Sequence, residues 1–432
     1  MLMKKRRASF CRAAVGAAFG LFVLVGSASA QIVPNPEAAI PERQSVLQRD
    51  RPDYQPLGLP LGSFYILPSI DVIEAWNSNI YATPTRDIGD FVTTLQPAVT
   101  VASDWNNNAL NIVLGDQTNI YATHPNENVN NLTGAIAGRL DVQSGVYFTG
   151  GGGAQLLHED RASPNAATTG KYPTEYHVID GNAGFVHDTG RVGFRFNTAV
   201  DAYSYNNNVT DTGTTILEST RDNIQYLAIP RLTYEIVPGY HAFIQTPVNE
   251  RQYVSHSDTG LPGGFYRSSH GYEGDVGTAI NLGSALNGEV FLGYLRQEYE
   301  DHRLSTAQGP GGGASILWNI TELTSLRFAA SRTVQETDID PASSMMETSG
   351  KIALEHELLR NVLLTASGTY FNDLFVGTTR SDNNYNASLG ARYLLNRNYS
   401  LEFDAAYSHR DSNVPGVNYD QEIIGLKFRA QM

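Results

Sequence analysis

Short runs of alternating apolar and polar residues recur along the chain from Ser63 to the C-terminus. In the run 131–142, Leu132, Ile136 and Leu140 share one face, and polar or small residues occupy the other. Side chains alternate across a β-strand, so this pattern predicts strands with one apolar and one polar face. Eighteen such runs follow one another, at 63–75, 91–104, 108–122, 131–142, 145–158, 174–187, 191–205, 221–236, 239–254, 271–284, 287–302, 311–320, 323–335, 346–356, 359–373, 383–395, 398–410 and 419–430. The chain is therefore predicted to be all-β.

The connections between these runs alternate in length. Short turns follow the even-numbered runs, for example at 105–107, 143–144, 188–190 and 237–238. Longer polar loops follow most odd-numbered runs, for example at 77–90, 160–173, 206–220 and 255–270. This asymmetry is typical of outer-membrane barrels, whose closed sheet leaves no unpaired backbone edge in lipid. We predict an antiparallel up-and-down transmembrane β-barrel of about 16–18 strands, with short periplasmic turns and long extracellular loops.

The first thirty residues have the three parts of an export signal. Basic residues at 4–7 precede the apolar stretch 13–25, and Ala28-Ser29-Ala30 forms a small-residue cleavage site. The apolar stretch is shorter than the roughly 20 residues of a membrane-spanning helix. We expect cleavage near Ala30 and delivery of the mature chain to the outer membrane of a Gram-negative bacterium.

The predicted domains follow from these boundaries. Residues 1–30 are the signal peptide, 31–62 form a proline-rich periplasmic leader, and 63–432 form the barrel. The leader has little apolar periodicity, and in isolation such a segment is extended or disordered. The only cysteine, Cys11, lies in the signal, so disulfides and cysteine-bound metals are excluded from the mature chain.

Charge limits the partners of the mature chain. The sequence has 30 Lys and Arg residues and 44 Asp and Glu residues, and five of the basic ones lie in the signal. The mature chain therefore has 25 basic residues against 44 acidic ones, a net charge of −19. Nucleic acid is excluded as a partner, because phosphate binding needs a basic surface. Outer-membrane lipid and the barrel assembly machinery are the expected partners.

Several stretches resemble a known family of outer-membrane proteins. They are Arg51-Pro-Asp-Tyr-Gln-Pro-Leu-Gly58, Ser78-Asn-Ile-Tyr81, Leu157-His-Glu-Asp-Arg-Ala-Ser-Pro164, Gly288-Glu-Val-Phe-Leu-Gly-Tyr294 and Gly390-Ala-Arg-Tyr-Leu-Leu-Asn-Arg397. Taken in order, they are similar to the "putative β-barrel porin 2" family. The resemblance implies an outer-membrane barrel, with no catalytic or ligand-binding residues to transfer. Some similar proteins are associated with exopolysaccharide export, which implies periplasmic polysaccharide-export proteins as candidate partners.

No group of side chains in the sequence predicts catalysis. The stretch 158–161, His-Glu-Asp-Arg, is the most concentrated polar group. Neighbouring residues of a strand point to opposite faces, so loop ion pairs are its expected role. Glu336, Asp338 and Asp340 alternate in a predicted loop, but three carboxylates fall short of the roughly six to eight oxygens of a calcium site. A solvated acidic loop is therefore expected there, and we predict no enzyme activity, no cofactor and no metal.

The polar faces of the strands supply the candidate lining of a pore. Charged residues in the polar register of their strands are expected to point into the barrel, where they would set a field that selects solutes. Bonding across a filled or narrow interior is the alternative. The candidates are Arg139, Asp141, Arg195, Asp201, Arg327, Arg392, Glu402 and Asp404.

A barrel of this size encloses an aqueous channel unless a segment fills it. The resemblance favours a passive polar conduit for exopolysaccharide export, with the leader 31–60 as a docking segment or plug. A general porin for small solutes is the first alternative, and a loop that constricts the bore would favour it. An outer-membrane hydrolase and a structural or adhesive barrel are further alternatives, and a packed lumen would favour the last of these.

Overall fold

The computed structural model describes residues 44–85 and 87–432, which fold into a β-barrel. The predicted signal peptide, its cleavage site and leader residues 31–43 lie outside the described residues. The wall has 18 strands: β1 Phe64–Asn77, β2 Asp90–Ser103, β3 Ala109–Tyr121, β4 Val129–Gln143, β5 Val146–His158, β6 Glu175–Asp188, β7 Val192–Tyr205, β8 Asn223–Val237, β9 in two parts (Tyr240–Gln245 and Val248–Tyr253), β10 Ser269–Leu282, β11 Leu286–Tyr299, β12 Ala307–Thr321, β13 Thr324–Gln335, β14 Met345–Leu359, β15 Val362–Phe375, β16 Ser381–Leu394, β17 Tyr399–Ser412 and β18 Tyr419–Gln431. Each corresponds to one predicted run.

The helices of the described residues are short 3-10 turns. Their bounds are Val46–Gln48, Pro125–Glu127 and Ser219–Arg221. In this part of the chain, no helix has both the length and the apolar character needed to cross a membrane.

Each strand pairs antiparallel with the next one along the chain, and β18 pairs with β1 to close the wall. The closing ladder runs from Ser69 opposite Gln431 to Asn77 opposite Ile423. A short strand, Leu59–Leu61, forms a hairpin with the start of β1. The predicted antiparallel up-and-down barrel is confirmed, at the upper end of the predicted strand number.

The connections alternate in length, as the sequence predicts. The turns after even-numbered strands cover 104–108, 144–145, 189–191, 238–239, 283–285, 322–323, 360–361 and 395–398. The loops after odd-numbered strands cover 78–89, 122–128, 159–174, 206–222, 254–268, 300–306, 336–344, 376–380 and 413–418. The start of β1 and the end of β18 lie on the turn side, which is the periplasmic side of an outer-membrane barrel.

Apolar side chains cover the outside of the wall. Leu132, Ile136 and Leu140 of β4 are 47%, 48% and 55% exposed, and Leu389 and Leu426 on other strands are exposed to a similar degree. Exposed aromatic residues form a ring near each end of the strands, typical of the two membrane interfaces. The ring near the turns contains Tyr234, Tyr240, Trp318, Tyr393 and Tyr399, and the ring near the loops contains Trp76, Phe91, Tyr226, Tyr272 and Tyr294. Because side chains alternate, the polar faces point into the lumen.

The β13–β14 hairpin leans into the barrel at its loop end. The ladder between β12 and β13 ends at Gly312 opposite Arg332, although both strands continue beyond that pair. Past this point, Val334 and Met346 pack against Leu295, which lies on the lumen face of β11. A Gly-Pro-Gly run of β12 borders the gap, and proline suits an unpaired edge because it donates no ladder hydrogen bond. The lean carries the β13–β14 loop over the bore.

Candidate functional site: a lumen narrowed at both ends

Four extracellular loops pack against one another over the bore. They are 159–174, 206–222, 254–268 and 336–344, and we refer to them as the loop lattice. They follow β5, β7, β9 and β13, so they come from different parts of the wall. Arginine–carboxylate pairs join them to one another. Such charge-assisted pairs are among the stronger hydrogen bonds in proteins.

Arg221 is the centre of the loop lattice. Its side chain is 12% exposed and donates hydrogen bonds to Glu159 at 3.0 and 2.9 Å and to Glu218 at 2.7 Å. Its Nε atom also lies 3.7 Å from Asp338. The guanidinium group stacks over the ring of Tyr205, 4.2 Å from its centroid. Three of the four loops therefore share one cation.

The loop 159–174 crosses the bore. On one side, Arg410 of β17 donates a hydrogen bond to the Ala162 carbonyl at 2.5 Å, and Ala162 packs on Tyr419 of β18. On the other side, the Thr337 hydroxyl donates to Asn165 at 2.9 Å. Thr337 follows β13, which is eight strands from β5 in the order of the wall. The loop thus spans the lumen and narrows its extracellular half.

The polar group at 158–161 forms loop ion pairs. Arg161 donates two hydrogen bonds to Glu127, at 2.9 and 2.8 Å. Glu159 binds Arg221, and Asp160 accepts the backbone N–H of Ala162 at 2.7 Å. The three side chains have separate partners instead of converging on one point. This arrangement agrees with the predicted structural role.

Each carboxylate of the loop 336–344 has an arginine partner. The pairs are Glu336 with Arg251, Asp338 with Arg221, and Asp340 with Arg267. The acidic loop is therefore neutralised by arginines and is not an open, solvated segment. Within 44–85 and 87–432, no group of three or more His, Cys, Asp or Glu side chains is placed to hold a metal ion.

Burial makes the loop lattice sensitive to pH. It raises the pKa of Asp338 from its usual 3.8 to about 6, against the opposing effect of Arg221. Burial also raises the pKa of Asp160 and Asp340. A carboxyl group with a raised pKa stabilises the folded loop when it is protonated. The stabilising contribution of protonated Asp338 is fully present below about pH 4 and is lost as the pH rises through about 6.

We therefore expect a lower conductance at about pH 5 than at about pH 7.5, because the loop lattice is more stable in acid. For Asp338, a pKa raised from 3.8 to about 6 places the change of protonation between these two pH values. Single-channel recording at both pH values measures the effect. In the Asp338→Asn control, the conductance at neutral pH should resemble the wild-type value in acid. A conductance that rises in acid would contradict the sign of the prediction.

Part of the leader lies at the periplasmic end of the lumen. We refer to residues 44–51 as the docked segment. Ser45 and Val46 in it are fully buried. The Val46 backbone N–H donates to the Ser325 hydroxyl at 2.8 Å, and Arg327 donates to the Ser45 hydroxyl at 2.8 Å. Ser325 and Arg327 share the lumen face of β13, next to a periplasmic turn.

Contacts with β14 extend this attachment. The Leu47 backbone N–H donates to Glu355 at 3.0 Å, and Arg51 pairs with Glu357 at 2.7 Å. Glu355 and Glu357 lie near the turn at 360–361, on the lumen face of their strand. The docked segment therefore rests inside the periplasmic mouth, against the wall. Its role as a docking element or plug remains a prediction.

Four of the predicted lining residues form two ion pairs. Arg139 donates to Asp141 at 2.9 Å, and Arg392 donates two hydrogen bonds to Glu402, both at 3.0 Å. Lys427 of β18 adds a further contact with Glu402 at 2.6 Å. These charges largely cancel in pairs along the periplasmic half of the wall.

The other four candidates, Arg195, Asp201, Arg327 and Asp404, are not brought together. Arg195 lies 4.0 Å from Asp188, and Asp201 is opposite Asp180 in β6. Arg327 binds Glu355 at 2.8 Å in addition to the docked segment. Arg327 therefore anchors the leader. That the remaining residues line a conducting pore stays a prediction.

Charge reversal tests this lining. Arg139→Glu and Arg195→Glu are expected to shift ion selectivity towards cations, because each replaces a positive side chain of the lumen by a negative one. The reversal potential in a salt gradient across a planar bilayer measures the shift. Arg296→Glu, which reverses a charge on the outer face of β11, is the control. An unchanged reversal potential in both lumen variants would remove the lining role.

Sequence reasoning missed most residues of the loop lattice. Arg221, Arg251 and Arg267 are single arginines in or beside predicted loops, without a local motif. Their carboxylate partners are distant in sequence, so only the closed barrel brings them together. The polar group 158–161 and the alternating carboxylates at 336–340 were the available signals, since buried carboxylates require a cation.

A closed barrel with an apolar outer band, two aromatic rings and a polar lumen is an outer-membrane channel fold. The chain belongs to the family described as "Putative beta-barrel porin 2", whose sequence model matches residues 51–432. The family and fold are those of channel proteins of the Gram-negative outer membrane, and the resemblance seen in the sequence is confirmed. No functionally curated protein matches this sequence.

Solved structures of outer-membrane proteins are similar to this chain. Pseudomonas aeruginosa OccK2 (OpdF) is 9% identical, with a TM-score of 0.44, over 86% of this chain and 99% of that one. A structure of the same protein in complex with glucuronate is 8% identical, with a TM-score of 0.45 and the same coverage. Acinetobacter baumannii OccAB4 is 6% identical, with a TM-score of 0.42, over 85% of this chain and 98% of that one.

Proposed function

We propose that the protein is a passive outer-membrane channel for small solutes, whose bore is limited by the loop lattice. The observation that carries this proposal is the loop 159–174, which Ala162 attaches to β17 and Asn165 attaches to the loop after β13. A barrel of this size has room for an aqueous lumen. A loop fixed across that lumen sets an upper limit on the size of the solute.

Exopolysaccharide export is the second candidate function, and it fits the geometry less well. A polymer needs a bore that is open along its whole length. Here the loop lattice narrows the extracellular half, and the docked segment occupies part of the periplasmic mouth. Export of a polymer would require both the loop lattice and the docked segment to move. A small solute needs only the part of the lumen that these two elements leave open.

The test is single-channel recording of the purified, refolded mature chain in a planar bilayer, with liposome swelling in parallel. We expect stable openings in KCl. Swelling should be fast with arabinose, slower with sucrose and absent with a dextran oligomer. The physical reason is that passage through a narrowed pore falls steeply with solute size.

Two outcomes would contradict the proposal. Passage of the dextran oligomer, or its reversible block of the current, would favour the export conduit. A correctly folded barrel that never conducts would instead favour a structural or adhesive role. Circular dichroism and heat-modifiable mobility in gels establish the fold independently of conductance.

A further inference from the structure

An apolar groove lies on the outer face of the wall across β13–β17, and we refer to it as the outer groove. Its volume is about 510 Å³. On β16, Tyr385 and Ala387 line the groove and share the strand face of the exposed Leu389, so the groove opens towards lipid and not towards the lumen. Its walls are exposed apolar and aromatic side chains, which are Phe328, Ile352, Tyr370, Tyr385 and Tyr407.

Two glycines give the outer groove its depth. Gly350 is opposite Tyr370 in the ladder of β14 with β15, and Gly368 is opposite Ile352 in the same ladder. A Cβ atom on Gly350 would meet no atom within 4 Å, and one on Gly368 would meet only Ile352, at 3.9 Å. Neither position has a positive φ, so neither packing nor backbone conformation requires glycine there. A larger side chain at either position would fill the groove.

A row of polar residues borders the outer groove on the side of the loops. Neighbours in this row face each other across the ladders of β13–β16, and the row consists of Arg332, Thr348, Asn372 and Asn383. It lies two residues nearer the loops than Gly350, which is roughly 7 Å at about 3.3 Å per residue. Exposed tyrosines next to a polar row are typical of a membrane interface. The row therefore lies at the height of the lipid headgroups, and the groove lies in the extracellular leaflet.

Arg332 brings a cation without a counter-charge to this row. Its Nε and Nη2 atoms donate to the Met346 sulfur at 3.1 and 2.9 Å, and a thioether is a weak acceptor that carries no charge. Within the described residues, no carboxylate forms an ion pair with Arg332. Arg296, which also lies on the outer face near the loops, is instead neutralised by Glu298 at 2.5 Å. Because a guanidinium group binds phosphate and carboxylate groups well, Arg332 is complementary to an anionic headgroup.

We propose that Arg332 and the outer groove form a binding site for one anionic lipid of the extracellular leaflet. The phosphate group of the lipid binds the guanidinium group of Arg332, and one acyl chain lies in the groove over Gly350 and Gly368. The order of the two parts matches the lipid, since the cation is nearer the loops and the apolar groove is nearer the middle of the membrane. The adjacent rim of β17 and β18 would repel the phosphate and confine it to the side of Arg332, because its exposed outward side chains are acidic, at Asp411, Asp420 and Glu422.

The test is native mass spectrometry of the refolded barrel, with phosphatidylglycerol and phosphatidylcholine of identical chains as the probes. The wild type should bind one phosphatidylglycerol about fivefold more tightly than phosphatidylcholine, which is the effect of about one arginine at a membrane surface. Arg332→Gln should bind the two lipids equally, whereas Arg296→Gln should keep the preference. Gly368→Leu should weaken the binding of both lipids about fivefold or more, because its side chain occupies the groove. Gly274→Leu is the matched control, since Gly274 is also on the outer face with no atom within 4 Å of a Cβ.

Three outcomes would overturn the lipid site. Equal binding of the two lipids by the wild type would remove the role of Arg332. Binding by Gly368→Leu that equals binding by Gly274→Leu would remove the role of the groove. A wild-type dimer that Gly368→Leu dissociates would assign the groove to a second copy of the chain. Heat-modifiable mobility in gels shows that each variant is folded, and none of these measurements depends on whether the barrel conducts.

Discussion

Replacing Arg221 by Ala is expected to open the extracellular half of the barrel and to raise the single-channel conductance severalfold. The change leaves Glu159, Glu218 and Asp338 close together without their shared cation. Removing one partner of a buried ion pair typically costs about 3–5 kcal/mol, which exceeds what a surface loop can lose and stay closed. Liposome swelling with sucrose should accelerate in the same variant.

Arg296 provides the control for this prediction. It also pairs with a carboxylate, Glu298, near the extracellular end of β11, but it shares the outer face of the wall with Tyr294 and its side chain is 40% exposed. Exposed pairs contribute only about 0–1 kcal/mol, so Arg296→Ala should conduct like the wild type. If Arg221→Ala kept the wild-type conductance and solute limit, the loop lattice would not be what restricts the bore.

Releasing the docked segment is expected to give the second large effect. Val46 is fully buried against the wall, and Val46→Asp places a charge where there is no solvent and Glu355 is near. Uncompensated burial of a charge is strongly unfavourable, so the docked segment should leave the periplasmic mouth. We expect a higher conductance, as in a chain that lacks 31–60, and new cleavage of the leader by added protease.

Leu57→Asp is the control for this second change. It introduces the same charge into the same leader, at a side chain that is 54% exposed and should tolerate it. Equal conductance in the wild type, Val46→Asp and the chain lacking 31–60 would exclude a plug. The leader would then serve only as an anchor at the rim.

The strands could be predicted from the sequence because lipid and water impose opposite demands on alternate side chains. In β4, Leu132, Ile136 and Leu140 face lipid, as their period of two requires. β11 alternates less cleanly, because Phe291 and Leu295 are apolar on its lumen side. The structure gives the reason: Phe291 lies against Phe243, and Leu295 packs on the leaning β13–β14 hairpin. These residues of β11 therefore face protein and not water.

The candidate site could be predicted only in part, because its contacts join residues that are distant in sequence. The pair of Arg139 with Asp141 lies two residues apart in one strand, and alternation placed both on one face. The bond from Thr337 to Asn165 and the bond from Arg327 to Ser45 have no local signature. Their partners are chosen by how the loops and the leader fold back into the barrel. The alternation of apolar and polar residues along a strand does not predict these contacts.

The ladder that joins β18 to β1 is expected to form last during folding. Its last hydrogen bonds, such as the one from the Met432 N–H to the Pro68 carbonyl at 3.1 Å, join the two ends of the strand sequence. Contacts of such large sequence separation form slowly, and until they form β1 offers a bare edge to other chains. We therefore expect the chain to stay unfolded until it reaches the outer membrane. A variant that weakens β18 should accumulate as an aggregate and not as an open barrel.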